Sequence, residues 1–212
     1  MKQFIQDNLS TILENGGIYI YPLMVVTFLL WYFIGYRFAA LRRGTTLPVS
    51  EVFSLVYDGK IDKFKGVIDS ACKDVLEKLK ENAHKIKSKK NLENLVDEVI
   101  LEYDANLQSY KSALLGLTVI APLLGLLGTV DGMVTMFNSL NEGTFFSQGG
   151  GGIALGISKA LYTTEIGLII AIPGIITESL LLSKQRRLQE ELKEIRMLAL
   201  SKFYKELEYE KV

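Results

Sequence analysis

The 212-residue chain is poor in the residues that do covalent and metal chemistry, with one cysteine, one histidine, one tryptophan and four prolines. A lone thiol, Cys72, closes no intrachain disulfide and offers no Cys-x-x-Cys spacing for a metal or redox centre. His84 sits in the Lys-rich run from His84 to Lys90, without the neighbours that a metal site or a nucleophile relay needs. Cys72 therefore reads as a spectator thiol and His84 as an exposed polar residue, and no cofactor, metal or catalytic residue is expected. Net charge is missing too, because 24 Lys and Arg offset 24 Asp and Glu, which removes any whole-chain attraction to nucleic acid. Charge is also absent by region. Lys2 is the single basic residue before Arg37, and Lys159 the single one between residues 112 and 182. Charge crowded into two segments is not the pattern of a soluble globule.

What fills the uncharged regions is apolar. From Asn15 to Arg37 no residue between the ends is charged, close to the ~20 residues a helix needs to cross hydrocarbon, and tyrosines and Trp31 mark its ends like interfacial anchors. It lacks the basic start and small-residue cleavage site of a secretory leader. A second stretch runs uncharged from Ser112 through Val130 and continues past Asp131 to Leu140. A third runs from Ile153 to about Leu182, interrupted by Lys159, Glu165 and Glu178, which a membrane helix should turn away from lipid.

Arg37, Arg42 and Arg43 follow the first stretch, Lys184, Arg186 and Arg187 follow the third, and the link between the second and third holds Glu142 but no basic residue. Basic-residue bias then places the N-terminus outside and the C-terminus inside. The expected layout is an outer segment 1–15, spans at 16–36, 112–140 and 153–182, a cytoplasmic helical loop 37–111, an outer link 141–152 and a cytoplasmic C-terminal helix 183–212. Ile61, Phe64, Ile68, Ala71, Val75 and Leu79 recur at helical spacing. So do Leu92, Leu95, Val99 and Tyr103, which follow an Asn91 cap and lead directly into the second span. Leu188, Leu192, Ile195, Ala199 and Phe203 continue the last span inward. The fold class is all-α, a three-span membrane protein with long helices projecting into the cytoplasm around a small core without activity of its own.

The spans also carry specific residues. In PLLGLLGTVDG, Gly125, Gly128 and Gly132 share one helix face at i, i+3 and i+7, where small residues permit close backbone approach. Thr129 lies one turn from Gly125 and Gly132. In the third span Thr163, Thr164 and Glu165 stand near the middle, with Pro173 two turns later. Each threonine hydroxyl has two readings, a bond to the carbonyl one turn back or a polar lining. The run Gly149 to Gly152 lacks the Gly-Lys-Ser/Thr ending of a phosphate loop and reads as a flexible connection.

GGIYIYPLM followed by FAALRRG, then GLLGTVDGMVTMF, then GISKALYTTEIGLIIAIPG resemble, in order, the three membrane helices of the proton-channel family that includes ExbB, TolQ and, more distantly, the flagellar stator protein MotA. The resemblance covers most of the chain and is closest to the ExbB/TolQ branch. It implies a subunit of the bacterial inner membrane, a homopentamer whose second and third helices surround two copies of a single-span ExbD-, TolR- or MotB-like partner with an intramembrane aspartate. Proton flow would drive motion that serves outer-membrane transport or envelope maintenance, through a TonB- or Tol-like protein. By position Thr129 and Thr164 match the family's polar pore residues, and Pro173 matches the proline of its third helix. Hydroxyls suit that place, since they donate and accept without titrating beside a carboxylate that does.

The chain departs from that branch at two places. ExbB and TolQ carry a glutamate where Lys159 stands, and an apolar or small residue where Glu165 stands. Lys159 and Glu165 point ~120° apart on one helix, so no simple pair forms between them. Glu165 is a candidate for ion movement or, equally, for a fixed bond between subunits. Asp131 points ~160° from Thr129 toward an interfacial or partner-facing role, and Lys159 either snorkels outward or pairs with Asp131 of a neighbouring copy. Two other function classes compete with a conducting stator, an intramembrane hydrolase using Asp131 and Glu165 as paired acids and a non-conducting membrane scaffold, and within the stator class a flagellar-type MotA-like subunit is the alternative.

Overall fold

The computed structural model describes residues 17–60, 66–82, 86, 88–141 and 151–209. Readings of Ile61, Phe64, His84, Glu142 and Gly149 fall outside them. Among the described residues a 3-10 turn, Gly17–Tyr19, leads into six α-helices: α1 Ile20–Ala40, α2 Val49–Tyr57, α3 Val67–Glu81, α4 Lys89–Gln108, α5 Lys111–Asn141 and α6 Gly151–Tyr209. Among the described residues there is no strand, and three helices are long and apolar enough to cross a membrane. The protein is thus an all-helical membrane protein.

Two units divide the chain. The first holds residues up to Ile34 together with Lys111–Glu178. Its helical segments from α1, α5 and α6 pack around Leu23, Val26, Ala121 and Ala171, flanked by Leu117, Leu124, Ile166 and Ile170. Alanine at two of the four central positions lets the backbones approach, which favours packing where lipid supplies no hydrophobic drive between helices. Only 28% of the most apolar window of each span is buried inside the single chain. Leu115, Val119, Leu123, Leu126, Met133 and Phe137 of α5 stay exposed, a surface for lipid or other chains. Pro122 and Pro173 lie inside α5 and α6 and each removes one backbone donor from its helix.

The second unit holds Gly35–Tyr110 and Ser179–Val212. Its core largely follows the helical periodicity of the sequence: Ile68, Ala71, Cys72, Val75 and Leu79 of α3, Leu92, Val96 and Val99 of α4, and Leu188, Leu192, Ile195 and Ala199 of α6 are all buried, whereas Leu95, Tyr103 and Phe203 of the expected stripes are half-buried and Val96 is the buried neighbour of Leu95. Polar bonds tie α4 to α6. Arg196 binds Asp97 through two nitrogens, Gln189 Nε2 donates to Asp104 Oδ1 at 2.6 Å, and Tyr204 Oη donates to Glu93 Oε1 at 2.5 Å. The segment after α1 is held by Arg43, whose Nε donates to Glu191 Oε2 at 2.7 Å, and by Thr45, which donates to the buried Asp69 carboxylate. Burial pushes the Cys72 thiol up to about 12, with the Asp69 charge adding to the effect, so it stays protonated and inert.

The structure differs from the sequence reading at two helix ends. The residue before α4 is Ser88, not Asn91, and its side chain makes no capping bond. A two-residue break separates the Leu92 series from the second span, because α4 ends at Gln108 and Tyr110 takes φ +58° before α5 begins at Lys111. A left-handed tyrosine costs roughly 1–2 kcal/mol. Its ring packs edge-on against Tyr36 at 5.0 Å, a contact of comparable size that apolar periodicity does not encode.

Candidate functional site in the membrane-spanning helices

The glycine face of α5 meets α6 at van der Waals distance. Gly125, Gly128 and Gly132 are all buried. A Cβ on Gly125 would lie 3.0 Å from the Thr163 carbonyl oxygen, one on Gly132 would lie 2.6 Å from the Gly156 carbonyl oxygen and 2.8 Å from Ala160 Cβ, and one on Gly128 would overlap the Thr163 side chain. From α6 the reciprocal small residues are Gly156, Ala160 and Gly167, the last with its Cβ position 2.8 Å from the Ala121 carbonyl oxygen. The seam is therefore built from missing side chains on both helices.

Hydroxyls border this seam. Thr129 is half-buried and its Oγ1 donates to the Leu126 carbonyl at 2.6 Å. Thr164 Oγ1 lies 3.2 Å from the Ala160 carbonyl of its own helix and 3.3 Å from the Gly125 carbonyl across the seam. One hydroxyl proton serves one of these acceptors at a time, and the oxygen keeps lone pairs that can accept. Thr163 was only a neighbour in the sequence reading. In the structure it is fully buried, 3.1 Å from the Lys159 and Ala160 carbonyls and 3.4 Å from that of Gly125. The signal lay in the spacing: Thr163 shares the helix face of Gly156, Ala160 and Gly167, whereas Thr164 sits ~100° around on the flank.

Lys159 and Asp131 meet within one chain. Lys159 Nζ donates to Asp131 Oδ2 at 2.5 Å, and its stem passes over Gly17. Within the single chain Lys159 thus pairs with its own Asp131, where the sequence expectations were outward snorkelling or the Asp131 of a neighbouring copy. The cause is the Gly132–Gly156 contact, which brings the two helices close enough for a lysine on one to reach an aspartate on the other. Glu165 is not part of this cluster. It is exposed on the side of α6 away from the seam, and among the described residues no ion pair engages it. Glu178, by contrast, is buried. Pro173 lies within α6, where its carbonyl accepts from Thr177 Oγ1 at 2.8 Å, and the next residue, Gly174, would bring a Cβ to 2.9 Å from Thr118 Cγ2.

Arg37 also departs from its sequence reading as one of three basic markers. It is buried, and its Nη2 donates to Gln185 Oε1 at 2.6 Å. Of the three arginines that close the first span, Arg42 alone is exposed. Among the described residues no group of three His, Cys, Asp or Glu side chains could hold a metal ion.

The sequence profile of the MotA/TolQ/ExbB proton channel family matches residues 64–194. Similar curated proteins include an ExbB-like biopolymer transport protein 3 of Synechocystis sp., 35% identical over 83 residues, covering 37% of this chain and 40% of that protein. A second from the same organism, ExbB-like 1, is 44% identical over 72 residues, covering 31% and 26%. The biopolymer transport protein exbB1 of Vibrio cholerae is 46% identical over 63 residues, covering 30% and 27%. The matched part of this chain thus spans less than half the length of each relative.

Proposed function

The chain belongs to the MotA/TolQ/ExbB proton channel family, and we propose that it is an ExbB/TolQ-like stator subunit working with a single-span ExbD/TolR-like partner. In this reading five copies surround two partner helices in the bacterial inner membrane, with the N-terminus periplasmic and the C-terminus cytoplasmic. Protons carried on a partner aspartate drive motion that powers outer-membrane transport or envelope maintenance. The basic residues after the first and third spans support the orientation. The family is one of channels rather than enzymes, which disfavours an acid pair at Asp131 and Glu165; these two carboxylates also have separate surroundings, one ion-paired and the other exposed.

The observation that carries the proposal is the hydroxyl-bordered seam. Thr129 and Thr164 flank a glycine contact that leaves no room for larger side chains, so a polar strip runs beside an otherwise apolar surface. A carboxylate on a guest helix next to such a strip gains hydrogen bonds in both protonation states without meeting a fixed charge that would trap it. Glu165 adds a second argument: an ionisable residue in a span does not face lipid, so its exposed side in the single chain calls for another chain to cover it.

Thr129→Val and Thr164→Val test this reading. Each should abolish proton-driven activity of the reconstituted complex while native mass spectrometry still finds the same assembly. Thr129 donating to its own helix carbonyl is the observation that favours the competing reading, a non-conducting scaffold. Full proton-driven activity in both variants would return these hydroxyls to a local role on their own helix carbonyls, and absence of any proton-driven activity in the wild-type complex would establish the scaffold.

A further inference from the structure

An open cleft of about 400 Å³ lies in the second unit, lined by the last turn of α1 and the first turn of α3, with Tyr103 of α4 across from them. A second cleft of about 240 Å³ shares Ala40, Val67 and Tyr103 with it and continues past Tyr36 to Leu107. The composite cleft has two characters. One end carries Arg42 and the Ser70 hydroxyl, and the other carries the Tyr36 ring, Ala40 and Leu107. Its walls stand where apolar span gives way to charged chain: Tyr36 and Ala40 end the first candidate span, and Ser109 lies two residues before α5.

Charge decides what fits. Arg43 pairs with Glu191 and Arg196 with Asp97, but among the described residues no carboxylate pairs with Arg42. The first amides of α3 are already taken, Val67 N–H by the Arg42 carbonyl at 2.9 Å and Ile68 N–H by the Arg43 carbonyl at 3.2 Å, so the helix end is not the attractant. Tyr103 Oη donates to Asp74 Oδ2 at 2.6 Å, and burial and that carboxylate hold the phenol well above its usual range. Ser70 hydrogen-bonds the same phenol, so Ser70, Tyr103 and Asp74 are engaged with one another, which leaves Arg42 as the group on the cleft wall that can meet an anion.

We propose that this cleft binds the phosphate headgroup of an anionic phospholipid of the adjacent leaflet, with Arg42 on the phosphate and an acyl chain along Tyr36, Ala40 and Leu107. A free phosphate would use the Arg42 end alone, whereas a lipid uses both ends of a cleft that opens at the membrane boundary. The inference requires the membrane boundary at the end of α1 and is independent of the partner and of conduction.

The test is native mass spectrometry of the detergent-solubilised full chain titrated with phosphatidylglycerol, phosphatidylcholine or inorganic phosphate. Phosphatidylglycerol should be retained over phosphatidylcholine, and Arg42→Gln should weaken retention about tenfold, the size of one charge-assisted hydrogen bond. Arg186→Gln, which removes an equal exposed charge outside the cleft, should leave retention unchanged. Ala39→Leu, which narrows the cleft without altering charge, should also weaken it. Equal losses in the two arginine variants, or equal retention of both lipids, would overturn the site. Displacement of phosphatidylglycerol by inorganic phosphate would overturn a lipid as its occupant. Because the readout needs neither partner nor proton gradient, it stands or falls separately from the stator reading.

Discussion

Replacing Gly128 by alanine adds one methyl group at a point where α5 has no room for it. The new Cβ would overlap Oγ1, Cβ and Cγ2 of the fully buried Thr163, and the opposing atoms belong to a short branched side chain held by its own hydrogen bonds. The helices must then separate or Thr163 must leave its rotamer, an overpacking cost of about 1–3 kcal/mol. Gly116 on the same helix is the control, since nothing lies within 4 Å of its Cβ position. There alanine should stabilise by up to about 1 kcal/mol through helix propensity alone. Thermal unfolding followed by helical circular dichroism in one detergent should place Gly116→Ala at or above wild type and Gly128→Ala below it. The double variant Gly128→Ala/Thr163→Gly moves the missing side chain across the seam and should recover stability lost by Gly128→Ala, giving a favourable coupling of about 1 kcal/mol or more. Equal stability of the two alanine variants, or additivity in the double, would refute a seam limited by the Gly128–Thr163 contact.

Breaking the Asp131–Lys159 pair from one side strands a charge in the spans, so Asp131→Asn or Lys159→Met alone should lower stability more than the two combined, as a double-mutant unfolding cycle would read. If Glu165 takes part in ion movement, Glu165→Gln should reduce proton-driven activity more than Asp131→Asn, and the reverse order would return Glu165 to a packing role. In the second unit the Arg196 hydrogen bond holds the Asp97 carboxyl below its usual range, outweighing the opposing effect of burial. That bond stabilises the fold above the ordinary aspartate value, about pH 4, and its contribution is lost as pH falls through the lowered folded value. With both side chains more than a third exposed, the amount is small, about 0.2–1 kcal/mol, and Asp97→Asn should remove that acid-limb dependence from an unfolding series.

The sequence by itself settled the class of molecule. Three long apolar runs, the first and third followed by basic clusters, leave a helix as the means of satisfying backbone groups in hydrocarbon, so all-α architecture follows from composition and length. The buried stripe of Leu188, Leu192, Ile195 and Ala199 was equally legible, because core-facing residues recur at the helical period. The spacing of Gly125, Gly128 and Gly132 marked a face for close approach, but one helix cannot name what approaches it. Tertiary packing decided that Thr163 rather than Thr164 fills the seam, that Lys159 reaches Asp131 of its own chain, and that Arg37 is buried while Arg42 is not. It also decided the break at Tyr110, whose left-handed backbone is offset by a ring contact with Tyr36, 74 positions earlier in the numbering. Periodicity along a chain fixes which residues share a face. Which faces meet, and at what distance, depends on how helices far apart in sequence fit together.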